Sequence, residues 1–258
     1  MMKDIVINGV ALKVNEVRIA EGRPTIIFLH DSLGCIALWR DFPEKLGEAT
    51  NCNVLVYDRQ GYGWSQPFRG NDRSNDYMEL EADVLNSLIE QCGITKAILF
   101  GHSDGGTIAL IAAAKYPERI MGIITEGAHI FVEDITLQGI RDAVLSYHTT
   151  NLKDRLEKYH GGKTDSVFRA WADTWLKKEY RSWNIEHFLP KINCPVLAIQ
   201  GEGDEYGSMA QVDGIVNQVA GKARKLMIRD VGHTPHREAR DVVMQESIGF
   251  VRFILVYC

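Results

Sequence analysis

None of the five cysteines, Cys35, Cys52, Cys92, Cys194 and Cys258, stands in a C-x-x-C pair, and their number is odd. That spacing excludes a disulfide framework and a zinc knuckle, and it reads as reduced, mostly buried thiols of a cytoplasmic protein. Lysine and arginine form no block or stripe. With 29 of them against 34 acidic residues the net charge is −5, so nothing in the sequence invites nucleic acid or an anionic membrane as a partner. No apolar run is long enough to span a membrane. The terminal stretch Phe250–Cys258 is short and contains Arg252, so it reads as the packed end of a helix. The first residues, MMKDIVINGVALKVNE, lack the charged start and long apolar stretch of a secretion signal. Long repeats and low-complexity segments are missing as well.

What is present is a chain of 258 residues, 45% hydrophobic and 24% charged, enough for one large core. Short apolar runs without polar alternation predict buried parallel strands at Thr25–His30, Asn53–Asp58, Lys96–Gly101, Ile120–Glu126, Pro195–Gly201 and Lys225–Arg229. Helices are predicted between them. Ser74–Cys92 has Ser74 as N-cap, an apolar stripe at Tyr77, Leu80, Val84, Leu85 and Leu88, and Gly93 as a stop. Ser103–Lys115 and Arg237–Phe253 are the others. At the start, Ile5–Ile7 and Ala11–Val14 flank Asn8-Gly9, a hairpin signal. A hairpin followed by strand–helix units predicts an α/β fold with a mostly parallel central sheet flanked by helices.

The interval Ile135–Leu189 breaks this rhythm. It holds Trp171, Trp175 and Trp183, helical apolar spacing, a turn at Gly161-Gly162 and no convincing strand. It reads as a helical insertion, 135–189, in a core made of 1–134 and 190–258.

Gly101-His102-Ser103-Asp104-Gly105 matches G-x-S-x-G, with a strand before it and a helix after it. A strand that turns sharply into a helix forces the central serine into strained backbone, and only small neighbours fit around it. The serine oxygen is thereby lifted above the sheet edge, close to the amide donors of a helix N-terminus. A Walker loop would need Lys-Ser/Thr at its end, and a dinucleotide loop would need G-x-G-x-x-G; neither is here. Ser103 is therefore the candidate nucleophile, and His102 reads as filler beneath the turn.

FLHDSLG, YDRQGYGWS, GHSDGG, PVLAIQGEGDE and DVGHTPHRE occur in an order that resembles α/β-hydrolase-fold enzymes over nearly the whole chain. The resemblance implies a nucleophile–acid–base order along the chain. It makes Asp204, after the strand Pro195–Gly201, the acid, with Glu205 as the adjacent alternative. It makes His233 the base, with His236 as the alternative. His233 and His236 also spell H-x-x-H, but no third metal ligand presents itself, so neither metal nor cofactor is implied. The backbone N–H groups of Ser32 and Asp104 are the implied oxyanion donors. Asp31 departs from the glycine usual at its position, which puts the loop geometry in question. The turn Asp58–Ser65 is structural in resembling enzymes.

The chemistry fits these residue types. A serine hydroxyl attacks only when a base takes its proton, imidazole does this near neutral pH, and a carboxylate on the far ring nitrogen fixes the tautomer. The implied function is hydrolysis of a small-molecule carboxylic ester, or of a lactone or thioester. C–C bond hydrolysis of a dienoate-type metabolite is the alternative, and it would need cationic groups; Arg40 and Arg59 are near the motifs in sequence. A non-catalytic receptor on the same fold is a third possibility, which an intact Ser103, Asp204 and His233 argues against. Trp39, His129, Phe131 and Tyr206 are the candidate substrate-binding residues, and the insertion would cap them.

Overall fold

The structure, a computed structural model, describes residues 1–70 and 73–257. Cys258, one of the five cysteines above, lies outside the described residues. The chain opens with a hairpin of β1 (Met2–Ile7) and β2 (Val10–Val17). Asn8 and Gly9 join them, both at positive φ (51° and 75°), which suits the right-handed twist of the flanking strands. There follow β3 (Thr25–Leu29), α1 (Phe42–Thr50), β4 (Asn53–Tyr57), α2 (Tyr77–Gln91), β5 (Ala97–His102), α3 (Asp104–Lys115) and β6 (Ile120–Glu126). Next come α4 (Asp134–Thr149), α5 (Leu152–His160) and α6 (Thr164–Trp175). The chain ends with β7 (Val196–Gly201), α7 (Met209–Gln218), β8 (Ala223–Ile228), α8 (Pro235–Glu238) and α9 (Arg240–Tyr257).

The strands form one sheet in the order β1-β2-β4-β3-β5-β6-β7-β8. The pairs β1–β2 and β2–β4 are antiparallel, and every later pair is parallel. Strand residues alternate between two faces, so one strand feeds two cores. In β3, Ile27 and Leu29 join a core with Leu85 of α2 and Ile108 of α3, while Ile26 and Phe28 join a core with Leu46 of α1 and Ile254 of α9. Both faces of the parallel strands other than the edge strand β8 are covered, which is why they read as continuous apolar runs rather than alternating ones.

Between β6 and β7 lie α4 to α6 and short 3-10 turns, with no strand among the described residues beyond a single bridge pairing Phe131 with Asn184. No helix among the described residues is long and apolar enough to cross a membrane.

Three predicted details differ. The helix after residue 73 starts at Tyr77, with Asp76 rather than Ser74 at its N-cap. Its buried face holds Tyr77, Met78, Ala82, Leu85, Leu88 and Ile89, whereas Leu80 is half exposed, because at 100° per residue it projects from the opposite side of that face. The last helix is split at Ala239: Glu238 bends back to accept bonds from the N–H groups of Gly232 (2.7 Å) and Thr234 (3.0 Å), and α9 then runs on to Tyr257.

Candidate active site

Ser103 sits between β5 and α3 with φ 53° and ψ −121°. A side chain in that region costs roughly 1–3 kcal/mol, and three contacts hold it there. Its N–H donates to the Glu126 carbonyl at 2.7 Å, and its own carbonyl accepts from Gly106 (2.8 Å) and Thr107 (3.1 Å). The glycines are required by space. A Cβ on Gly105 would collide with the Leu29 carbonyl, and one on Gly101 with the Gly105 backbone. Gly105→Ala is therefore expected to destabilise the fold by about 2–4 kcal/mol, measured as a lowered denaturant midpoint. An unchanged midpoint would mean that β3 and α3 can separate freely.

Asp204 follows β7 and is buried. Each of its carboxylate oxygens lies 2.9 Å from Nδ1 of His233, and Oδ1 also accepts the Tyr206 N–H at 2.8 Å. Burial pushes the Asp204 pKa up, but the attraction of His233 and these hydrogen bonds outweigh it and hold the carboxyl below its usual range. The loops that carry the pair are fitted to each other. Gly203 N–H donates to the Val231 carbonyl at 2.9 Å, and a Cβ on Gly127 would come within 2.8 Å of His233 Cε1, so glycine there leaves room for the ring.

The two alternatives to this pair are placed elsewhere. Glu205 is exposed. His236 packs its ring on Trp39 at 4.5 Å, and its Nδ1 lies 2.6 Å from Glu126 Oε2. His233 and His236 thus engage different carboxylates, and among the described residues no group of three His, Cys, Asp or Glu side chains could hold a metal ion.

Ser103, Asp104, Ser32 and His233 line one cavity of about 70 Å³, together with His129, Tyr206, Asp31 and Leu33. Thr136, Ile140, Trp171 and Trp175 close it from the interval between β6 and β7. A larger cavity of about 610 Å³ lies around Glu16–Arg23 and Cys92–Lys96, at the start of β3 and β5. That is the opposite sheet edge from Ser103, so chemistry rather than size selects the site.

Asp31 is not among the residues at positive φ, so the loop after β3 does not demand the glycine that the resemblance led one to expect. The loop closes as a turn, with Gly34 N–H on the Asp31 carbonyl (3.2 Å) and Leu33 N–H on Oδ2 (3.3 Å). Arg59, fully buried, braces it from behind. Its guanidinium donates to the carbonyls of His30 (3.3 Å) and Asp31 (2.8 Å), and lies 3.7 Å from the Asp104 carboxylate. Asp104 in turn accepts from Tyr77 Oη (2.9 Å), which accepts from Trp175 Nε1 (3.1 Å). Sequence reasoning missed this support; the turn Asp58–Ser65, which contains Arg59, was its only visible trace.

Of the four candidate substrate-binding residues, His129 and Tyr206 reach the cavity. The His129 ring donates from Nε2 to the Tyr206 carbonyl at 3.0 Å, and burial, with His233 nearby, pushes its pKa down. Trp39 does not line the cavity. It ends a short 3-10 turn (Ile36–Trp39) and is buried among Phe28, Phe100 and His236, on the other face of the sheet. Phe131 does not line it either, being held at the bridge to Asn184. Arg40 and Arg59 are likewise absent from the lining.

A strand–serine–helix elbow at the parallel strand ends, facing a carboxylate–imidazole pair on later loops, defines a hydrolase class. The chain belongs to the alpha/beta hydrolase fold family, whose sequence profile matches residues 24–184. It is 32% identical over 231 residues to the serine hydrolase BPHL of Mus musculus, covering 86% of this chain and 77% of that protein. It is 24% identical over 273 residues to the 2-hydroxy-6-oxononadienedioate/2-hydroxy-6-oxononatrienedioate hydrolase of Escherichia coli (strain K12), covering 94% of this chain and 92% of that one. The fold is also that of the enol-lactonase from Burkholderia xenovorans LB400, with a TM-score of 0.76, 20% identity, and coverage of 96% of this chain and 99% of that one.

Proposed function

We propose that this chain is a serine hydrolase that cleaves a small carboxylic ester, or a related lactone or thioester, through a covalent acyl-enzyme. The observation that carries the reading is the Asp204–His233 pair, 2.9 Å at both carboxylate oxygens, whose imidazole lines the same cavity as Ser103. With Nδ1–H held by Asp204, Nε2 of His233 is left bare to take the Ser103 proton as the hydroxyl oxygen attacks the ester carbonyl. The oxyanion that forms is held by the N–H groups of Ser32 and Asp104, each worth on the order of 3 kcal/mol. His233 then returns the proton to the departing alkoxide, and a water deprotonated by the same imidazole releases the acid.

The cavity lining favours an uncharged acyl group over the dioate that the Escherichia coli relative's name specifies. Among the described residues it contains no lysine or arginine. A dicarboxylate substrate would be left without a counter-ion. Turnover of p-nitrophenyl acetate with no turnover of a dienoate dicarboxylate is the expected outcome; the reverse preference would select the C–C hydrolase reading.

On this reading residues 135–189 cap a core of 1–134 and 190–258 and set selectivity. Trp171→Ala enlarges the acyl side of the cavity. The kcat/KM ratio of octanoate to acetate p-nitrophenyl esters is expected to rise about tenfold. Equal loss on both esters would mean that Trp171 serves the core instead.

A further inference from the structure

His102 precedes the candidate nucleophile, and the proposed chemistry gives it no task. It is buried at the end of β5. Its Nε2–H donates to the His233 carbonyl at 2.7 Å, and its Nδ1 lies 3.7 Å from Asp31 Oδ1. Its ring centre is 5.1 Å from that of His233. One imidazole thereby joins three segments far apart in sequence: the loop with Ser32, the elbow with Ser103, and the loop with His233. Asp31 stands where resembling enzymes carry glycine, yet its backbone needs no glycine. What the aspartate adds is a carboxylate facing His102.

Resting on the serine-hydrolase reading, we propose that His102 is a positioning residue. Paired with Asp31 and bonded to the His233 carbonyl, it fixes the spacing of the oxyanion loop, the nucleophile elbow and the base loop. A carbonyl only accepts, so Nε2 keeps its proton and Nδ1 is the atom that titrates. The groups facing His102 are Asp31 after β3, Glu126 at the end of β6, His233 after β8 and His236 in α8. Burial pushes the His102 pKa down, but the carboxylates of Asp31 and Glu126 outweigh it and hold it at about 9. Glu126 Oε2 is already engaged by His236, which leaves Asp31 as the partner particular to His102. Above that pH the Asp31 carboxylate faces a bare nitrogen lone pair and the tie is lost.

The test uses the full chain, p-nitrophenyl acetate and a fluorophosphonate probe. His102→Leu is expected to lower kcat about 30-fold, with KM changed less than about threefold, because displaced loops misalign the reacting groups without touching the ester. His102→Gln, whose amide can still donate to the His233 carbonyl, is expected to recover most of the loss. Asp31→Asn is expected to move the alkaline limb of kcat/KM down by about one pH unit or more, since burial then dominates His102. A purely packing role would lower the melting temperature and leave that limb in place.

Wild-type kcat in His102→Leu overturns the proposal. Should the leucine variant not fold, an Asp31→Asn limb coincident with the wild type's overturns it. The probe separates this inference from the reading beneath it. A wild type whose Ser103 takes no probe sinks both, whereas a labelled wild type with unmoved kcat and unmoved limb in the variants sinks this one alone.

Discussion

Ser103→Ala is expected to lower kcat on p-nitrophenyl acetate by roughly 10⁵- to 10⁶-fold. Alanine keeps the left-handed turn at φ 53° and the hydrogen bond its N–H donates to the Glu126 carbonyl, so the elbow and the cavity persist. Only the attacking oxygen is removed, and His233 is left with no hydroxyl to deprotonate. The folded state should be as stable as the wild type or slightly more so, because a buried hydroxyl has been traded for an apolar methyl group. Initial rates and a thermal melt on the same preparation check both halves. A variant that kept more than about one per cent of the rate with an intact melt would place the chemistry on another residue.

Asp204→Asn is expected to lower kcat about 10⁴-fold while the protein stays folded. The carboxylate offers only acceptors to His233 Nδ1, which fixes the proton there and leaves Nε2 free as a base. An asparagine amide turned toward Nδ1 donates instead, so the proton moves to Nε2, the atom that has to accept one from serine. The imidazolium formed during attack also loses its counter-charge. Glu205→Gln, a change on an exposed side chain one residue along, should alter kcat by less than about twofold. A larger effect at Glu205 than at Asp204 would shift the acid assignment by one residue.

The parallel strands were legible to within a residue or two because all but the edge strand β8 are buried on both faces. β6 is Ile120–Glu126 in sequence and structure alike, and β3 stops one residue before His30. The elbow was legible because part of its constraint is local: a Cβ on Gly101 would strike the Gly105 backbone four residues on. The parts that stayed hidden depend on contacts between distant segments. Trp39 lies five residues past Gly34 of the loop after β3, yet the 3-10 turn carries it through to the opposite core, against Phe100 and His236. Arg59 looked like a loop cation and proved to be a buried brace for the His30–Asp31 backbone and Asp104. His102 looked like filler, because nothing within ten residues reveals that His233 and Asp31 meet it. The stripe of α2 was misplaced for a more ordinary reason: the buried face follows Tyr77, Met78, Ala82, Leu85 and Leu88, and Leu80 projects from the side opposite it.

The most direct test of the account is the site of covalent capture. The full chain would be incubated with a fluorophosphonate, digested, and its peptides mapped by mass spectrometry. One adduct, on the hydroxyl of Ser103, is expected, with its formation slowed strongly in Asp204→Asn. An adduct on any other residue, or an unmodified Ser103 under conditions that label a serine esterase run in parallel, would contradict it.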